Sequence, residues 1–127
     1  MKIAATIARY LLGLTFLAFG LNGFLHFIPM PPPSGVAGQF FGAMAATNYM
    51  VPIFLLQIIG GALLLAGRFV PLALVILAPI IVNIVLFHSS MAPEGLPLAI
   101  VVVILWLLVY SRLRGNFAGL FAQRTDA

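Results

Sequence analysis

Four apolar stretches, each close in length to the width of a lipid bilayer, constrain this chain more than anything else in it. Tyr10 to Ile28, Met50 to Gly67, Phe69 to His88 and Gly95 to Tyr110 contain no Asp, Glu, Lys or Arg. As helices rising about 1.5 Å per residue, they nearly match a hydrocarbon core of roughly 30 Å. The predicted fold is therefore all-α, a bundle of four transmembrane helices.

At 127 residues the chain has room for a single domain. Hydrophobic residues make up 64% of it and charged ones 6%, against roughly 25% charged in a soluble domain. Such a chain has too little polar surface to cover itself in water. The six basic residues are unevenly placed. Lys2 and Arg9 precede the first span, Arg68 sits in the turn between the second and third, and Arg112, Arg114 and Arg124 follow the fourth. The other two connections hold neither Lys nor Arg. By the positive-inside rule both termini and the middle turn are expected in the cytoplasm. The net charge of +4 does not make a nucleic-acid surface, because no basic patch interleaved with aromatics exists. The cations serve as topology signals and contacts for anionic lipid headgroups. With no cysteine, disulfides, thiolate metal sites, iron–sulfur ligation and dithiol chemistry are excluded. The N-terminus imitates a secretory signal, but its apolar run outlasts a signal core and lacks a small-x-small cleavage site near its end. The expectation is a retained first helix.

Proline and glycine punctuate the chain. The run Pro29-Met30-Pro31-Pro32-Pro33 is extended and ends the first helix. Residues 36–48 are too short to span, and the helical spacing of Phe40, Phe41 and Met44 predicts a short helix lying on the outer membrane surface. The turn Gly67-Arg68-Phe69 makes a hairpin of the second and third spans. Pro52 and Pro71 occupy first turns, where a missing donor costs little. Pro79 lies mid-span, where it deprives the Val75 carbonyl of its donor and predicts a kink. In the first helix, Gly13, Gly20 and Gly23 allow close approach to partner helices. The fourth helix, almost all Val, Ile and Leu, is expected to face lipid, with Trp106 and Tyr110 nearing the cytoplasmic interface. Residues 111–127 form a cytoplasmic tail.

Polar side chains within the spans are few. Asn22, His26, Gln57, Asn83 and His88 all lie toward the outer ends of their helices, and Glu94 stands just outside. The inner half is nearly pure hydrocarbon, and that asymmetry marks the candidate ligand-binding region. Asn22 and His26, four apart, share one helix face. A quinone would suit such a place: its ring needs an apolar slot, its carbonyls need donors such as His or Asn, and its tail needs lipid. Equally, Asn and Gln in membrane helices often only bond a neighbouring helix, for about 1 kcal/mol or less. A haem between the two histidines, or a metal held by them with Glu94, is disfavoured because their spacing is not diagnostic, and no Ser–His–Asp triad, phosphate loop or carboxylate pair is present. Glu94 fits a helix N-terminal charge complementing the dipole.

The segments GLTFLAFGLNGFLHFIPMPPPSG and LQIIGGALLLAGRFVPLALVILAPIIVNIVLFH resemble the DoxX-like family of small four-helix membrane proteins. The resemblance runs from about Ala8 to Arg114. It rests on Phe19-Gly20 with Asn22, the stretch from His26 to Pro33, Gly60-Gly61 with Gly67, and Pro79 with Asn83 and His88. It implies a four-helix bundle in a bacterial cytoplasmic membrane and a link to membrane redox complexes, the family's name deriving from a subunit of a thiosulfate:quinone oxidoreductase. Where relatives carry a basic residue after the first-helix glycine and an acidic one before the glycine pair, this chain has Gly23 and Gln57. Mechanisms that need an intramembrane ion pair are thus disfavoured.

Three functions follow as expectations. The first is an accessory subunit that binds a quinone-type apolar molecule through Asn22, His26, Gln57, Asn83 and His88. The second is an assembly or scaffold protein whose polar groups clamp helices together. The third, a small-solute permease, is disfavoured by the apolar inner half and the absence of an intramembrane acid. Membrane redox or assembly proteins are the expected partners. Neither the ligand nor the oligomeric state is legible.

Overall fold

Glycine and proline set the boundaries of the helices. At Gly67 the backbone turns left-handed (φ 69°), and the N–H groups of Gly67 and Arg68 return to the carbonyls of Leu64 and Leu63 at 3.3 and 3.2 Å. Glycine tolerates this conformation, and the bonds satisfy carbonyls that a helix end otherwise leaves open. The computed structural model describes residues 2–126, so the last residue of the expected tail lies outside the described residues. The helices are α1 (Lys2–Leu25), α2 (Gly35–Ala46), α3 (Met50–Ala66), α4 (Val70–Ser90) and α5 (Leu96–Leu113). Short 3₁₀ segments occupy Pro93–Gly95 and Arg114–Phe121. Among the described residues there is no strand.

The fold is a helical bundle. Helix α1 packs on α3 and α5, while α4 packs on α3 and α5, so these four close a ring. Specific contacts give the direction of each. Gly23 abuts Phe54, Gly20 abuts Gln57, Gly13 abuts Leu64, and Arg9 reaches Gly67, so α3 runs antiparallel to α1. The short turn at Gly67 then reverses the chain into α4. At its far end, Gly95 lies against His88 and starts the return along α5.

Three segments, Lys2–Leu25, Val70–Ser90 and Pro93–Phe121, are long and apolar enough to cross a membrane. Helices α2 and α3 form a pair bent by 90°. That bend agrees with α2 lying across the end of the bundle while α3 runs along it. Phe40 and Phe41 moor α2 to the end of α4, their ring centroids 5.7 and 5.0 Å from that of Phe87.

The helices differ from the expected spans most at the two ends of α1; α4 also runs on to Ser90 and α5 to Leu113. Helix α1 begins at Lys2 rather than Tyr10, because Ala4, Ala5 and Ala8 favour helix and nothing before Tyr10 breaks it. It ends at Leu25 rather than Ile28, since His26 is left-handed (φ 53°). Pro79 lies inside α4, which continues through it.

Leu12, Leu64, Leu74 and Leu77 are fully enclosed. Phe16, Ala73, Ile81, Val102, Val109 and Phe117 complete the core around them. Leu14, Leu72 and Ile104 point outward and are 58%, 51% and 50% exposed. In water such a surface would aggregate; against lipid it needs no cover. Helix α5, expected to face lipid, is exposed along part of its surface and buried at Ala99, Val102 and Val109. Trp106 turns toward α4, donating from Nε1 to the Leu74 carbonyl at 3.0 Å, and stacks on Tyr110 with centroids 5.3 Å apart.

Candidate functional site

Asn22 and Gln57 are the buried polar side chains of the described residues, each 8% exposed. Gln57 owes its burial to glycine. A Cβ on Gly20 would lie 3.0 Å from the Gln57 Cβ and 3.0 Å from the Ile58 nitrogen. Without one, α3 settles onto α1 and carries Gln57 inward.

The two amides have different surroundings. Asn22 Oδ1 accepts the Ile28 N–H at 2.7 Å, and Nδ2 points at the Met30 thioether at 3.5 Å. The His26 N–H meanwhile bonds the Asn22 carbonyl at 2.9 Å. Asn22 thus ties down the chain as it leaves α1, work that a buried amide can do at little cost only when its bonds are satisfied. For Gln57 no hydrogen bond is formed among the described residues. Its amide is not completely enclosed, so it reaches the edge of the buried zone with its donors and acceptor free.

The other polar residues are spread rather than gathered. His26 is exposed, beyond the end of α1 and off the face that it would share with Asn22 in a continuing helix. Asn83 is exposed, its Nδ2 donating to the Pro79 carbonyl at 2.9 Å. That carbonyl belongs to the turn after the proline, and the amide simply folds back upon it. His88 Nδ1 donates to the Ile84 carbonyl at 2.8 Å. The ring stands edge-on to Phe87, with centroids 5.1 Å apart, and over Gly95, where any side chain would strike the imidazole. Among the described residues no group of three or more His, Cys, Asp or Glu is placed to hold a metal ion.

At position 23 a side chain would enter the Phe54 ring. This chain therefore packs an aromatic where an ionic group would have no room, and Phe24 adds an edge contact to the same ring at 5.9 Å.

Two clefts lie away from these residues. One, of about 400 Å³, is an apolar furrow between α4 and α5 lined by Ala78, Ile81, Val82, Val85, Leu86, Val103, Trp106 and Leu107. It suits an acyl chain but has little to orient a carbonyl. The other, of about 260 Å³, lies at the basic end and brings together Lys2, Arg9 and Arg112. In the sequence these cations stand as topology signals and contacts for anionic lipid headgroups, spread over separate segments. Lys2 and Arg9 are seven residues apart on one helix face, which was legible; the arrival of Arg112 beside them depends on how α5 returns.

Comparison with protein-family models, with curated proteins and with solved structures finds no match for this chain.

Proposed function

We propose that this chain is a DoxX-like integral membrane protein that crosses a bacterial cytoplasmic membrane four times with both termini inside. In this reading it serves as a non-catalytic accessory or assembly subunit of a membrane redox system. The observation that supports it is the local use of the polar groups. Asn22, Asn83 and His88 each bond backbone within their own segment. Such groups satisfy nearby backbone; they do not form a constellation aimed at one reacting atom, as catalysis requires.

One observation favours a bound apolar molecule of the quinone type. Gln57 is buried yet has no partner, and a ligand carbonyl reaching it from the lipid would accept its N–H. Mass spectrometry of protein purified in mild detergent, paired with chemical cross-linking in the membrane, separates the two readings. The accessory role predicts cross-linked partner proteins and no small molecule at one per chain. A stoichiometric quinone, lost in Gln57→Leu and retained in Asn83→Leu, would replace it with the ligand-binding reading.

A further inference from the structure

The cleft at the basic end has the build of an anion site. Helix α1 supplies Lys2, Thr6 and Arg9, and α5 supplies Arg112, over a floor that includes Val70 and Val109. No carboxylate is in its lining: Glu94 lies at the opposite end of the bundle, in the connection from α4 to α5, and Asp126 is exposed in the tail that follows α5. Like charges that line one cleft with no carboxylate among them repel one another, and an anion between them relieves that repulsion. The apolar floor lowers the local dielectric and strengthens the attraction.

Arg9 is already held in position. Its guanidinium donates to the Leu64 carbonyl near the end of α3 and lies 4.5 Å from the centroid of the Tyr10 ring. It rests against the bare face of Gly67, where a Cβ would come within 3.0 Å of it. A guanidinium has five N–H donors in a rigid fork, so after serving Leu64 it retains donors for a planar or tetrahedral oxyanion. A merely solvated topology charge would not be fastened in this way.

We propose that Lys2, Arg9 and Arg112 form a binding site for a phosphate group at the basic end of the bundle. The phosphate belongs either to an anionic lipid headgroup or to a soluble phosphate compound. Basic pockets between membrane helices bind acidic headgroups through the same chemistry. The proposal needs the helical bundle alone and does not depend on the accessory role.

The test uses the full chain in nanodiscs of phosphatidylcholine with and without 30 mol% phosphatidylglycerol, read by native mass spectrometry after ejection. A second arm adds inorganic phosphate to the protein in phosphatidylcholine alone and reads thermal stability. Arg112→Gln is the chosen variant, because Arg112 is exposed and Arg9 also supports α3. A lipid source predicts phosphatidylglycerol retained on the wild type and reduced about fivefold by Arg112→Gln, with Arg124→Gln unchanged. A soluble source predicts no preferential lipid retention but stabilisation by inorganic phosphate that Arg112→Gln removes. Equal losses in Arg112→Gln and Arg124→Gln, or no response in either arm, would overturn the site. A melting curve of each variant without ligand shows that it is folded.

Discussion

Gly61→Leu is expected to part α1 from α3 and to destabilise the bundle by about 3 kcal/mol, a loss of about a hundredfold in the folded-to-unfolded ratio. A Cβ on Gly61 would lie 2.5 Å from the Leu17 nitrogen and 2.7 Å from the Gly13 carbonyl oxygen. Both are backbone atoms, so no side-chain rotation relieves the clash and one whole helix has to shift. In lipid that shift is costly for a second reason. Helices there are held by close van der Waals contact rather than by the exclusion of water, and separation forfeits contact along the seam. Gly42→Leu is the internal control, since nothing lies within 4 Å of a Cβ at that position. It is expected to leave stability within about 0.5 kcal/mol. Unfolding both variants in mixed micelles with increasing dodecyl sulfate measures the difference. Equal midpoints would show that α1 and α3 do not approach at Gly61 as described.

Leu77→Ala should cost about 2 kcal/mol, and its coupling to Gly60 tests the packing more sharply than its size. Leu77 is fully enclosed. Its loss leaves a cavity, and in a bilayer the cavity term dominates because the reference state is already surrounded by hydrocarbon. A Cβ on Gly60 would lie 2.8 Å from both Cγ and Cδ2 of Leu77. Gly60→Ala alone should therefore cost about 1 kcal/mol as Leu77 is displaced. In the Leu77→Ala background the same methyl enters vacant space, and the double variant should be about 1 kcal/mol better than the sum of the singles. Strict additivity would contradict the contact between α3 and α4.

The sequence shows where helices run far better than it shows what their polar side chains do. Apolar runs and prolines are local signals, so the all-helical fold and the short helix before α3 could be anticipated from residues such as Phe40, Phe41 and Pro52. The end of α1 depends on Asn22 reaching forward to the Ile28 N–H, which no periodicity foretells. The shared face of Asn22 and His26 fails for the same reason, as the helix stops between them. Asn83 lies in the C-terminal half of α4, yet its amide folds onto Pro79 instead of pointing inward. Among the described residues only Gln57 combines burial with a free amide, and its burial follows from the glycine at position 20 on a different helix. Arg112 joins Lys2 and Arg9 through the return of α5, which is likewise a tertiary matter.

In the proposed topology the chain crosses the bilayer four times, with its basic end in the cytoplasm and its polar end outside. Because the native sequence has no cysteine, single-cysteine variants can be labelled with a membrane-impermeant maleimide without background. Ser34→Cys and Ser90→Cys are expected to react in intact cells. Gly115→Cys, at a position with open space around a Cβ, should react only after the membrane is opened. Labelling of Gly115→Cys from outside, or of Ser34→Cys and Ser90→Cys from opposite sides, would contradict the arrangement.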